Sequence, residues 1–268
     1  MIPDLHRLLL DVTALAREAG HAILGVYASS FSVTEKDDRS PLTEADLESE
    51  RLILAGLRRL APEIPVLSEE SGRAPYAKRA AWDWLWVVDP LDGTKEFVNR
   101  NGEFTVNVAL IENGRPVFGV VHVPVSGKTY VGCNGYGADV RMPGRPPRSI
   151  SVSASSAVPA RVVGSRSHRG SSLDNFLDSL GEYEMHPMGS SLKFCVIAEG
   201  LADVYPRLGP TSEWDTAAAQ AVVEQAGGKV VTLDGKPLMY NTKSDILNPH
   251  FLVVGPQDND WLGMLVAS

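Results

Sequence analysis

The chain has 268 residues, a length that suits one large domain or two small ones sharing a sheet, and its 44% apolar content supports a substantial core. A net charge of −8 argues against a nucleic-acid polymer as partner, because that binding needs a basic surface. No apolar run reaches the ~18 residues of a transmembrane segment, and Leu8-Leu9-Leu10 is cut short by Asp11, unlike a signal peptide, so a cytoplasmic protein is expected, with peripheral association at the inner membrane left open.

Residues 4–28 carry Leu5, Leu8, Leu9, Val12, Leu15, Ala19 and Ile23 at helical spacing, which predicts an amphipathic opening helix. A short strand from Phe31 then leads into a charged loop whose Lys36 and Asp38 could reach an active site, although a solvated loop is the preferred reading. Thr43-Glu44-Ala45-Asp46 has the spacing of a capping box and opens a second helix through Leu57; by itself this makes Asp46 a helix-start acid. The apolar run from Ile64 ends in Glu69-Glu70, which alone reads as a solvated strand edge, and residues 73–81 form a loop or short helix.

The apolar run 84–88 predicts a strand buried on both faces, and it stops abruptly in Asp89-Pro90-Leu91-Asp92-Gly93-Thr94-Lys95. Pro90 lacks an N–H, so strand pairing is expected to end there, and Gly93 lets the backbone turn and approach a ligand. Two carboxylates, Asp89 and Asp92, are thereby held close together, and they repel unless a cation or proton lies between them. Mg²⁺ fits such a place, since it takes oxygen ligands and keeps several waters. The simpler reading is a plain turn, because Asp, Pro and Gly are common turn residues.

Strands are predicted at 104–111 and 116–124, joined by the turn Glu112-Asn113-Gly114, and again at 128–133. Gly132, Gly135 and Gly137 have no helix after them, so they mark a hairpin turn rather than a dinucleotide loop. Residues 142–156 are rich in proline, arginine and serine, which places a boundary near residue 150, between an N-terminal subdomain of residues 1–150 and a C-terminal subdomain of residues 151–268. Beyond it, strands at 161–164, 183–185, 202–205, 229–233 and 251–254 interleave with helices at 173–180, 192–199 and 215–226, as in an α/β arrangement with a mixed sheet. Asp215 reads locally as the N-cap of an alanine-rich helix that stops at Gly227-Gly228. Gly189-Ser190-Ser191-Leu192-Lys193 opens another helix, whose free N–H groups and dipole favour an anion. Arg207 supplies a guanidinium for a phosphate or for a surface ion pair. Cys133 and Cys195 have no metal or redox spacing and read as buried thiols.

Asp-Pro-Leu-Asp-Gly-Thr at 89–94 resembles the signature of the lithium-sensitive, Mg²⁺-dependent phosphomonoesterases that include inositol monophosphatase. Its extension through Lys95-Glu96-Phe97, with Asn101-Gly102-Glu103-Phe104-Thr105-Val106-Asn107 after it, is similar to the bisphosphate nucleotidase branch. Trp214-Asp215-Thr216-Ala217-Ala218 resembles the family's second signature, more than a hundred residues away. The resemblance covers nearly the whole chain. It implies a layered αβαβα sandwich of two subdomains with the active site between them, and hydrolysis of adenosine 3′,5′-bisphosphate to AMP and phosphate in sulfur assimilation, sulfated nucleotides being a further substrate.

The same resemblance implies Mg²⁺, two or three ions per site, held by Glu69, Asp89, Asp92, Asp215 and the backbone carbonyl of Leu91. It implies that Asp46 with Thr94 activates the attacking water, since a hydroxyl alone is a weak base. The implied substrate contacts are Gly93, Thr94, Lys95 and Asp215 around the motif, Ser165 and His168 after a strand, Gly189, Ser190 and Lys193 at a helix start, and Arg207. Related phosphatases of inositol monophosphate or fructose 1,6-bisphosphate are the alternative reading, and a non-catalytic nucleotide-binding module is a third. The expected assembly is a monomer or homodimer.

Overall fold

The computed structural model describes residues 4–36, 41–165 and 171–266. Helix α1 (Leu5–Tyr27) is capped by Asp4, whose carboxylate accepts the His6 and Arg7 N–H groups. Strands β1 (Val33–Glu35) and β2 (Pro41–Thr43) pair with each other and lead into α2 (Glu44–Leu60). Strand β3 (Val66–Ser68), the short helix α3 (Tyr76–Arg79) and the long strand β4 (Trp84–Asp92) follow, and α4 (Thr94–Val98) starts directly after the motif. Strands β5 (Thr105–Glu112), β6 (Arg115–Val123), β7 (Lys128–Cys133), β8 (Gly137–Arg141) and β9 (Arg148–Ser149) complete a seven-stranded sheet in the order β3-β4-β5-β6-β7-β8-β9. The second half supplies β10 (Ala160–Gly164), α5 (Ser171–Leu180), β11 (Tyr183–Pro187), α6 (Leu192–Ala198), β12 (Val204–Arg207), α7 (Glu213–Gln225), β13 (Lys229–Thr232), β14 (Phe251–Val254) and α8 (Trp261–Val266). Its five strands form a second sheet, ordered β11-β10-β12-β14-β13.

Side-chain alternation decides the layering. On β4, Trp86 and Val88 face one way and pack with α1 and α2 through Leu9, Val12, Ile53 and Leu57. Leu85 and Val87 face the other way and join Phe194 and Ile197 of α6, Ala218 and Val222 of α7, and Tyr205 and Phe251 of the second sheet. The far face of that sheet, with Val162, Val204 and Leu252, is covered by Phe176 of α5 and Trp261 of α8. The order of layers is therefore helix, sheet, helix, sheet, helix, and α6 and α7 lie in the middle. Two glycines set how closely α7 approaches the first sheet. A Cβ on Gly119 would lie 2.1 Å from the Ala218 carbonyl oxygen, and one on Gly132 would lie 2.5 Å from that of Ala221.

Three local expectations are corrected. Pairing does not end at Pro90: the ladder of β4 with β5 shifts register after Asp89–Asn107 and resumes at Asp92–Thr105. The two residues without a ladder partner, Pro90 and Leu91, form an irregularity that aims the flanking acids, as bulges beside active sites do. The strand expected at 202–205 begins at Val204 and runs to Arg207. Strand β8 and helix α4 add to the expected elements. Among the described residues no helix is long and apolar enough to cross a membrane.

Candidate active site

The end of β4 supplies the floor of the site. Asp89 is 1% exposed, and its Oδ1 accepts the Leu91 N–H at 3.1 Å, so the irregular turn itself orients the carboxylate. Ser49 of α2 donates its hydroxyl to the Pro90 carbonyl at 2.7 Å and pins the turn from the other side. Glu69 enters from the end of β3, where its N–H donates to the Val88 carbonyl at 3.2 Å. Asp215 enters from the first turn of α7. Ligand atoms of Glu69, Asp89 and Asp215 all lie within 4.8 Å of one another.

Burial and mutual repulsion act together on these acids. Asp89 is raised well above the ordinary carboxylate value, first by burial and then by the charges of Glu69, Asp92 and Asp215. Asp215 is pushed up to about 7 by burial, then by Asp92 and Glu69. Glu69 is raised to about 6 by burial, with Lys36 offsetting some of the effect. Three hard oxygen donors that resist ionising together fit a divalent cation such as Mg²⁺, which supplies the missing positive charge.

Asp92 sits beside this set with one oxygen already committed. Its Oδ2 accepts the Ser191 N–H at 2.6 Å and the Ser191 hydroxyl at 2.8 Å, with the Asn107 amide at 3.4 Å, and among the described residues all of its side-chain hydrogen bonds fall on that oxygen. The expectation that the Gly189-to-Lys193 segment offers free N–H groups to an anion is corrected. The Ser191 N–H goes to Asp92, and the Gly189 N–H donates to Glu103 Oε2 at 2.7 Å. Asp215 is likewise not the N-cap of its helix. Ser212 is, and Asp215 stands at the third position, where its Oδ2 accepts the Ser212 N–H at 2.9 Å and the Thr211 hydroxyl at 2.7 Å.

Asp46 and Thr94 are brought together across 48 positions: the Thr94 hydroxyl donates to Asp46 Oδ1 at 3.2 Å, with the Leu91 carbonyl an alternative acceptor at 3.4 Å. Asp46 does keep the capping role read from its sequence, since its Oδ2 accepts the Thr43 N–H at 2.8 Å and the Thr43 hydroxyl at 2.7 Å. Burial raises its pKa. One carboxylate thus fixes the start of α2 with one oxygen and meets Thr94 with the other. Gly93 turns between β4 and α4 with φ of 91°, a left-handed conformation that favours glycine.

An open cleft adjoins the acids. Asp92, Gly93, Lys95, Ser165, Gly189, Ser190, Lys193, Arg207 and Asp215 all line it, as do Glu96 and Tyr205. Lys193 is 7% exposed; its Nζ donates to the Ser190 carbonyl at 2.6 Å and lies 5.4 Å from the centre of the Tyr205 ring. Burial lowers its pKa to about 8. Arg207 donates through Nη2 to the Pro210 carbonyl, while its buried Nε has no partner among the described residues. His168 lies outside the described residues, as does Asp38.

Lys36 does not belong to a solvated loop. Its ammonium donates to Glu69 Oε1 at 2.9 Å and also to Glu70, and although burial opposes it, these two acids hold its pKa above the usual lysine value. Ser191 and Asn107, which are not among the expected site residues, also reach the site. Asn107 Nδ2 donates to Ser191 Oγ at 2.9 Å.

The chain matches the model of the inositol monophosphatase family over residues 4–260. It is 49% identical over 248 residues to the 3′(2′),5′-bisphosphate nucleotidase CysQ of Salmonella typhimurium, covering 92% of this chain and 99% of that one. Among solved structures, CysQ of Bacteroides thetaiotaomicron is 41% identical with a TM-score of 0.81, covering 93% of this chain and 96% of that one. An inositol monophosphatase from Anabaena is 28% identical with a TM-score of 0.79, covering 99% and 97%.

Proposed function

This chain belongs to the inositol monophosphatase family, and we propose that it is a metal-dependent 3′(2′),5′-bisphosphate nucleotidase that converts adenosine 3′,5′-bisphosphate to AMP and phosphate. The observation that carries the reading is a site that brings clustered acids and cations together. Glu69, Asp89 and Asp215 converge within 4.8 Å, and Asp215 also lines the cleft that Lys193 and Arg207 line. A substrate with two phosphates needs both: one group to be cleaved against the acids and one to be held by the cations.

In this reading Glu69, Asp89, Asp92, Asp215 and the Leu91 carbonyl would hold two or three Mg²⁺ ions. Bound there, Mg²⁺ would orient a water, lower its pKa, and offset charge on the attacking and leaving oxygens. The water's proton passes by way of the Thr94 hydroxyl toward Asp46, whose raised pKa makes it a better acceptor than an exposed aspartate. Lys193 and Arg207 hold the phosphate that is not cleaved, by charge-assisted hydrogen bonds. Gly93, Lys95, Ser165, Gly189 and Ser190 shape the cleft around the nucleoside, and His168 is assigned to the same contact. Sulfated nucleotides present the same 3′-phosphate and are accepted on this account, which fits a role in sulfur metabolism.

The test is Mg²⁺-dependent phosphate release from adenosine 3′,5′-bisphosphate, inositol 1-phosphate and fructose 1,6-bisphosphate in parallel, with and without Li⁺. Preference for the nucleotide and inhibition by Li⁺ are expected. Preference for either sugar phosphate would overturn the roles of Lys193 and Arg207, and no release from any of the three would point to a binding protein.

A further inference from the structure

Ser191 spends its polar groups in an unusual way. It is the N-cap of α6, where a serine ordinarily adopts an extended backbone and uses its oxygen to accept an N–H from the helix's first turn. Here its backbone is already helical, with φ −68° and ψ −5°, and its side chain makes no cap hydrogen bond. Ser191 is 1% exposed, and its hydroxyl lies 2.8 Å from Asp92 Oδ2 and 2.6 Å from the Asp215 carbonyl oxygen and accepts the Asn107 amide at 2.9 Å. A hydroxyl has one proton and two lone pairs, so with Asn107 donating to it, the proton goes to Asp92 or to the Asp215 backbone. The Ser191 N–H adds a second donor to Asp92 Oδ2 at 2.6 Å.

We propose that Ser191 is a positioning residue of the metal site: it turns one oxygen of Asp92 away from the cleft, leaves Oδ1 to face the other acids, and ties this carboxylate to the start of α7, where Asp215 stands. The inference rests on the metal-site reading above and adds to it a residue that touches neither substrate nor metal. The two signatures lie more than a hundred residues apart, on the first sheet and on α7, and Ser191 contacts both. Carboxylates that bind metals are commonly held by such outer partners, whose loss costs about 10- to 100-fold in metal affinity or activity.

The test measures Mn²⁺ binding by the electron paramagnetic resonance of the free ion, alongside Mg²⁺-dependent kinetics, in the full chain. Ser191→Ala keeps the N–H and removes the hydroxyl. It is expected to weaken Mn²⁺ binding about 10-fold or more and to lower kcat, with KM for the nucleotide changed less than about threefold. In an Asp92→Asn background the same substitution should add less than about threefold, because its effect runs through Asp92. Asn107→Ala, which removes the amide donating to the hydroxyl, should weaken Mn²⁺ binding in the same direction and carries the test if Ser191→Ala does not fold. Unchanged Mn²⁺ binding in both single variants, or an undiminished effect of Ser191→Ala in the Asp92→Asn background, would overturn the proposal. If Asp89→Asn binds Mn²⁺ as the wild type does, the metal-site reading itself fails.

Discussion

The acidic floor and the cationic wall of the cleft are built by opposite means. The floor crowds like charges: Asp89 from β4, Glu69 after β3 and Asp215 on α7 converge, and the counter-charge that reaches them is Lys36, bonded to Glu69 and Glu70. The wall instead ties its charges to neutral groups. Lys193 donates to the Ser190 carbonyl and Arg207 to the Pro210 carbonyl, and among the described residues neither forms an ion pair. The floor is short of positive charge, and the cations of the wall rest on neutral carbonyls; on the proposed reading the floor takes a cation and the wall an anion. Burial alone does not produce this. His122 is buried like Asp89, yet it faces α1 on the opposite side of the first sheet, where Gly20 packs against its ring.

The contrast breaks most visibly in the floor. Asp89→Asn is expected to lower kcat about a thousandfold or more, equivalent to ~4 kcal/mol of lost transition-state stabilisation. Its metal-free form should melt at or above the wild-type temperature, because repulsion within the floor is relieved; calorimetry with and without Mg²⁺ checks both halves. In the wall, Lys193→Met should raise KM for adenosine 3′,5′-bisphosphate about 10- to 100-fold, as for a lost charged hydrogen bond of roughly 1.5–3 kcal/mol. Turnover of adenosine 3′-monophosphate, which lacks the second phosphate, should change little in steady-state assays.

His122 separates burial from function. Burial first, then the charge of Arg17, lowers its pKa to about 4, against an ordinary value near 6.5. A depressed pKa favours the neutral ring in the folded state, so this contribution is complete above pH 6.5 and is lost as the pH falls toward 4. Urea titrations should show about 2 kcal/mol less stability from this residue at pH 5 than at pH 7, and His122→Gln should lack that component of the slope. The smallest effect belongs to the link between floor and counter-charge. Lys36→Met should cost the metal-free protein about 1 kcal/mol, and saturating Mg²⁺ should abolish the difference in a thermal melt.

What can be read in the sequence follows the range of the interactions. The end of β4 is legible because an apolar run, a proline and a glycine act within a few residues of one another. The capping box of Asp46 is equally local, and the helix and strand periodicities of the second half follow from faces buried against α6 and α7. The proposed metal and water-activating roles come from the family resemblance, which bridges a sequence distance that local reasoning cannot. Lys36 reads wrongly as solvated because a charged stretch beside Asp38 carries no sign of the acids 33 and 34 positions away that draw it inward. Ser191 is hidden for a similar reason: its partners Asp92 and Asp215 lie 99 and 24 positions distant, and a serine at a helix start already has a sufficient local explanation. The N–H groups of that segment read as ligand donors because a sequence shows that a helix begins, but not which carboxylate folds against it.

The central claim is that floor and wall together select a substrate with two phosphates. Its most direct test is the ratio of kcat/KM for adenosine 3′,5′-bisphosphate to that for adenosine 3′-monophosphate at saturating Mg²⁺. A ratio of about 10 to 100 or more is expected, reflecting the charged contacts of the second phosphate. Equal values would contradict the account, leaving the acidic floor as a phosphatase site with no role for the cationic wall.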